Sequence, residues 1–193
     1  MSRLIYLTHP QVQIDAHIPV PEWDISEIGR QRILSLEDAP WLSNVTSIYS
    51  SSEKKAVTSA ELIADFCGLP VKTRSDMGEN DRSSTGFLPP DEFEKMADAF
   101  FANPGIRVKG WESAQEAQTR IVSAVTEILA SHQNGDLLCV GHGAVGTLLM
   151  SHCAGWEISR SHDQTGGGGN IFVAALPRLT LVHAWRRLED GPA

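Results

Sequence analysis

The run DLLCVG (136–141) constrains the fold more than any other part of the sequence. It is six residues of mostly apolar character, the length of a strand rather than a helix, and it leads directly into Gly141–His142–Gly143 and a helix-like segment from about Ala144. The same succession occurs earlier. RLIYLT (3–8) reads as a short buried strand ended by His9 and Pro10, and VTSIYS (45–50) as a second strand that passes through serines into the helical EKKAVTSAELIADFCG. In that helix Ala56, Ala60 and Ile63 share one face, and Gly68 supplies the stop.

Between these units, Ser26 is placed to cap a helix reaching about Glu37, after a loop carrying Pro10, Pro19 and Pro21. LPVKTR (69–74) is a weaker third strand. A turn-rich segment (75–90) then precedes EFEKMADAFFA, with Asp91 as its expected cap. The strongest helical pattern covers 112–133, where Ile121, Val125, Ile128 and Leu129 recur at helical spacing. GGGGNIFVAAL and LTLVHAWR read as two closing strands, antiparallel around Pro177–Arg178. Strands alternating with helices predict an α/β three-layer sandwich, a mostly parallel central sheet with helices on both faces. No repeat or linker divides the chain, so one domain over residues 1–193 is expected.

The 193 residues carry a net charge of −8, which gives no electrostatic basis for binding nucleic acid or an anionic membrane. An anionic substrate would need a local basic pocket working against that field. Cys67, Cys139 and Cys153 form no C-x-x-C and suit free thiols in a reducing compartment. With no signal-peptide pattern or transmembrane run, a cytoplasmic monomer or homodimer is expected. No histidines fall at i, i+3 or i, i+4, so no metal site is expected.

Ligands of open α/β sheets bind beyond the carboxyl ends of the strands. Three of those ends here are Thr8–His9, Ser50–Ser51–Ser52 and Gly141–His142–Gly143. At the second and third a helix begins at once, which aims unpaired N–H groups and a helix dipole at one space. Two histidines, small residues and helix N-termini describe a site for a small anion, with phosphate the obvious candidate. Gly141, Gly143 and Gly146 also spell G-x-G-x-x-G, with Asp163 about 20 residues on, the spacing of a dinucleotide-binding turn. Asp163, however, lies in the loop-like SHDQTGGGG and ends no strand. His17, His132, His152, His162 and His183 are read as structural or surface groups, with His17 and His162 as secondary candidates for the pocket lining.

In order and spacing the early strand–His9, YSSSEKKAVTSAE and VGHGAVGTLL resemble the histidine phosphatase superfamily, the phosphoglycerate-mutase-like fold, over nearly the whole chain. The middle segment resembles the family's SSPLxRAxQTAE, and GWESAQEAQTRI (110–121) its GES…R helix start. The resemblance implies a phosphohistidine on His9, His142 as the second pocket histidine, and Glu79 in MGEND as the acid that protonates the leaving oxygen. Asp81 competes for that last role. No cofactor is implied, and the partner would be a small phosphorylated substrate.

The first motif departs from the family's Arg-His-Gly, being Thr8–His9–Pro10. Thr8 lacks the charged, two-pronged contact that arginine gives a phosphate, and Lys55 stands where the second pocket arginine is expected. Thr8, Lys55 and Gly143 are nonetheless the expected phosphate contacts, joined by Arg82 as the replacement cation, with Lys54 and Arg74 behind it. Asp15 falls where the family often has Asn. Trp23, Trp111 and GFLPP (86–90) are candidate walls, and the 161–170 loop has no assigned role. The implied activity is hydrolysis of a small phosphomonoester. The rival readings are an impaired family member that binds an anionic ligand, and a phosphomutase.

Overall fold

The structure is a computed structural model and describes residues 2–192. Six strands form one sheet in the order β3-β2-β4-β1-β5-β6. They are β1 (Arg3–Thr8), β2 (Val45–Ser51), β3 (Val71–Arg74), β4 (Asp136–Gly141), β5 (Asn170–Ala175) and β6 (Thr180–Arg187). The pairs β1–β4, β2–β4 and β2–β3 are parallel, while β1–β5 and β5–β6 are antiparallel.

The helices are α1 (Glu27–Leu34), α2 (Lys54–Cys67), α3 (Pro90–Ala102), α4 (Ala114–Ser131) and α5 (Gly143–Ala154). Strand alternation sorts them into two layers. Leu4, Tyr6, Leu137 and Cys139 face the core built with α3, α4 and α5, whereas Ile5, Leu7, Leu138 and Val140 face α1 and α2. Burial on both faces is why β1 and β4 read as nearly continuous apolar runs. The expected α/β sandwich is therefore the fold.

Local signals worked where a side chain or glycine defines the end. Ser26 accepts from Gly29 N–H at the start of α1, and Gly68 closes α2 in the left-handed region at φ 64°. α4 begins with a reciprocal capping box between Ser113 and Glu116.

Three boundaries differ from expectation. α1 stops at Leu34 rather than about Glu37, because Leu36 and Glu37 bond back three residues in a tighter turn that drives Leu36 into the core. Asp91 is not the cap of α3. The helix starts at Pro90 after an extended Pro89, so Asp91 sits inside the first turn. β3 begins at Val71, after Leu69 and Pro70. No helix among the described residues is long and apolar enough to cross a membrane.

The seat of α5 on the sheet depends on missing side chains. A Cβ on Gly141 would lie 2.2 Å from the Tyr6 hydroxyl, and one on Gly146 would lie 2.6 Å from Tyr6 Cε1 and 2.9 Å from Trp185. Tyr6 in turn stacks on Phe172 at 5.2 Å between ring centroids. These glycines answer the G-x-G-x-x-G question by packing: two of the three admit Tyr6 rather than a pyrophosphate. Gly146→Ala is accordingly expected to cost about 1–3 kcal/mol in urea unfolding through overpacking. An unchanged midpoint would mean that the helix can lift off Tyr6 freely.

Candidate active site

Parallel register brings the site together. Thr8 pairs with Gly141 and Ser50 with Val140, so β1, β4 and β2 end at one level. His9 and His142 are the next residues of β1 and β4, and Ser51 ends β2. The His9 N–H donates to Gly141 O at 2.9 Å, extending the ladder by one residue. The two imidazoles meet edge to face, their centroids 5.2 Å apart.

The tautomer of His9 follows from its partner. Nδ1 lies 2.9 Å from Pro10 O, and a carbonyl can only accept, so Nδ1 carries the proton and Nε2 keeps its lone pair. Burial, aided by the nearby Lys55 and Arg82 charges, lowers the imidazole from its ordinary 6.5 to about 4 against the opposing pull of Pro10 O and Glu53. His9 is thus a neutral base with a free nitrogen at pH 7.

His142 is fully buried. Its Nε2 is 2.8 Å from Ser51 Oγ and 3.4 Å from Glu53 Oε1, while Nδ1 has no partner. Leaving a buried polar atom without a partner costs about 1–3 kcal/mol, so this nitrogen is poised for a partner that the chain itself does not supply. Burial drives its pKa well below the ordinary value, assisted by His9, Lys55 and Arg82. Tyr6 supports it from beneath, accepting the His142 N–H at 3.1 Å.

Lys55 is buried on the first turn of α2, where it donates to Val20 O at 2.9 Å and to Glu53 Oε2 at 2.5 Å. Burial of Glu53 favours its neutral form, yet His142 and Lys55 hold its carboxyl down to about 2. Since His142 is itself neutral, the Lys55 ammonium is the contact that matters at pH 7. Glu53 was not among the sequence candidates. Its only signal is an acid two residues before the expected cation, at the mouth of the same helix.

Glu79 lies in the same cluster. Its Oε2 accepts from Ala144 N–H at 3.2 Å and its Oε1 from Val145 N–H at 3.1 Å, so the carboxylate sits on the N-terminus of α5. Its own N–H donates to Glu53 Oε1. Behind it, Arg120 donates to Asp76, Gly78 and Glu79 carbonyls and pairs through both prongs with Glu112. That clamp is what the GES…R segment builds. Asp81 is exposed and accepts from Ser83 N–H in a turn.

Thr8 is fully buried and belongs to a network with Gln164 and Asn170. Gly143 opens α5, and Gln164 Nε2 lies 2.4 Å from where a Cβ on it would stand. Arg82 lays its guanidinium over Phe93 and Trp111, at 5.1 and 5.7 Å from the ring centres, and is near enough to lower the pKa of both histidines. Arg74 is taken up by Asp76 and Glu127, and Lys54 by Asp24. Asp15 is used locally, accepting from His17 N–H.

Trp23 meets Phe87 edge to face at 5.6 Å, and both Trp23 and Trp111 are buried. His162 stacks on Trp156. Asp163 accepts from Thr147 and Gln164, a loop pin rather than a ribose contact. No group of three or more His, Cys, Asp or Glu among the described residues converges to hold a metal. Clefts of about 430 and 720 Å³ open elsewhere, lined around Arg32 and around Arg120, and neither includes a histidine.

A family model described as the histidine phosphatase superfamily (branch 1) matches residues 13–172. A Salmonella choleraesuis protein named probable phosphoglycerate mutase GpmB is 27% identical over 64% of this chain and 60% of its own length. An uncharacterized phosphatase PhoE of Bacillus subtilis is 25% identical over 57% of this chain and 54% of its own. The aligned region thus spans little more than half of these relatives. Among solved structures, Bacillus stearothermophilus YhfR superposes with a TM-score of 0.77 at 18% identity, covering 100% of this chain and 98% of its own. A mycobacterial glucosyl-3-phosphoglycerate phosphatase gives 0.76 at 18% identity, covering 96% of each chain.

The neutral histidines set a pH dependence. Below its unfolded value of 6.5, His9 in the unfolded chain takes up a proton that the folded chain refuses until about pH 4. The unfolded state then holds more protons, so stability falls as pH falls through that window. His142 acts in the same sense, and Glu53 extends the loss below pH 4.5. In His9→Asn, unfolding free energies measured in urea between pH 6.5 and 4 should fall less steeply than in the wild type. Equal slopes would show that His9 titrates as it does in water.

Proposed function

The chain belongs to the histidine phosphatase superfamily (branch 1), and on that premise we propose that it hydrolyses a small phosphomonoester through a phosphohistidine on His9. The observation that carries this reading is the free Nε2 of a neutral His9, beside a second buried histidine and the N-terminus of α5. Nε2 attacks phosphorus, the P–N bond forms, and the P–O bond to the leaving group breaks. The leaving oxygen is protonated through Glu79, which then takes a proton from water as that water attacks phosphorus. The P–N pair returns to Nε2 as phosphate leaves.

Around the transferring group, His142, Lys55, Arg82 and the Gly143 N–H are the donors and cations available for its oxygens. Phosphate and vanadate complexes of the mycobacterial phosphatase, and a 3-phosphoglyceric acid complex of an Entamoeba histolytica phosphoserine phosphatase, support a phosphoryl ligand for this fold. Three free thiols fit a reducing compartment, the cytoplasm.

One observation favours the non-catalytic rival. Glu53 occupies the cation at Lys55 and stands 3.4 Å from His142, so an incoming anion must compete with a resident carboxylate. Two substitutions separate the readings in assays of phosphomonoesters at pH 5–8. His9→Ala should abolish turnover with the fold intact by circular dichroism, and surviving activity would remove the phosphohistidine. Glu53→Gln should release Lys55 and tighten vanadate inhibition about tenfold, the worth of about 1.4 kcal/mol. Weaker inhibition in that variant would assign Glu53 to ligand binding rather than obstruction.

A further inference from the structure

We propose that Gln164 supplies the phosphate contact that the first motif lost when arginine gave way to Thr8, and that Thr8 serves to hold it. The inference rests on the phosphoryl reading above and deepens it.

The orientation of the amide follows from donor logic. Asn170 N–H donates to Thr8 Oγ1 at 3.0 Å, and the Thr8 hydroxyl hydrogen goes to Gln164 Oε1 at 2.8 Å in preference to Asn170 O, which is farther at 3.4 Å. Asn170 Nδ2, itself fixed on Thr165 O at 3.0 Å, donates to the same Oε1 at 2.9 Å. Two donors on one oxygen make a flipped amide untenable, since its NH2 would then face two N–H or O–H groups. Nε2 therefore points the other way, over the first residue of α5. Glycine at position 143 leaves that space open, because a Cβ there would stand 2.4 Å from Nε2.

The result is a pair of uncommitted donors at one place. Gln164 Nε2 and the Gly143 N–H have no hydrogen-bond partner among the described residues, and both lie at Gly143, the residue after His142 at the head of a twelve-residue helix. Ala144 and Val145, the next two N–H groups, are already taken by Glu79. The loop bearing Gln164 is also tied to the nucleophile, for Gly169 N–H donates to His9 O at 3.0 Å. An amide fixed at both its carbonyl and its loop is preorganised to donate to a phosphoryl oxygen, without the formal charge that arginine carries.

The test uses four full-length proteins: wild type, Gln164→Leu, Gln164→Glu, and the double variant Thr8→Arg with Gln164→Ala. Each is assayed for kcat, KM and vanadate inhibition, with thermal unfolding alongside. Gln164→Leu removes the donor at similar size. Gln164→Glu keeps the acceptor for Thr8 and Asn170 while losing the donor. Both should lower kcat about 10²–10³-fold, as loss of one such donor does elsewhere, and weaken vanadate in parallel. The double variant should recover activity, because arginine can then enter the space the amide filled. Wild-type kcat and vanadate affinity in Gln164→Leu overturn the inference and leave the phosphatase reading standing, even if the variant melts earlier. A wild type that neither hydrolyses phosphomonoesters nor binds vanadate overturns both.

Discussion

The pairing of β1 with β4, from Leu4 opposite Leu137 to Thr8 opposite Gly141, is the contact on which the rest of the structure depends. It lies in the middle of the sheet and is buried on both faces, so each residue of the ladder is committed to one of two cores. Slipping the register by one residue would exchange Tyr6 for Leu7 on the α5 side and carry the whole hydrophobic set to the wrong layer. The same register brings His9 level with His142, and it brings the Tyr6 hydroxyl under the His142 backbone. Site geometry and core packing are therefore one constraint, with Gly141 and Gly146 as the points where they meet.

Around that centre, positioning is delegated to groups outside the strands. Glu79 comes from an irregular segment, which by itself would not hold a carboxylate to hydrogen-bond tolerance. Arg120 overcomes this by gripping the carbonyls of Asp76, Gly78 and Glu79, while Glu112 fixes the planar fork from behind. Lys55 does the equivalent on the other side, tying the 19–22 segment to α2 through Val20 O. The loops at the candidate site are pinned by side chains from helices.

Which parts were legible in the sequence follows from this division. Strands and helices whose ends are marked by a capping serine, a capping box or a left-handed glycine could be read, as Ser26, Ser113 and Gly68 show. The strand-end rule anticipated that His9, Ser51 and His142 converge, because register is a regular property of parallel sheets. The end of α1 and the start of α3 were misplaced where a tightened turn and a proline pair overrode the usual signals. The contacts of Gln164 and Glu53 could not be read, for they depend on which loop folds over which strand end. Thr8, read as a phosphate contact weakened by substitution, turns out to be engaged by Gln164 and Asn170, a partnership across 156 and 162 residues of chain.

The charge of the cluster bears on how it could take a phosphate. Lys55 and Arg82 are balanced by Glu53 and Glu79, within a chain already at −8. Little long-range attraction for an anion can arise from such a set, and a dianion approaching the site gains nothing from steering. What remains is short-range: the first turn of α5, an imidazole nitrogen without a partner, and unpaired amide donors beside it. Dipoles of this kind act only at contact, and unlike a net charge they are little weakened by salt. They also discriminate by shape, since each has a fixed direction. A pocket built this way would recognise a tetrahedral oxyanion by the geometry of its oxygens more than by its charge, and the lowered pKa of both histidines keeps that geometry free of protonation across the neutral range.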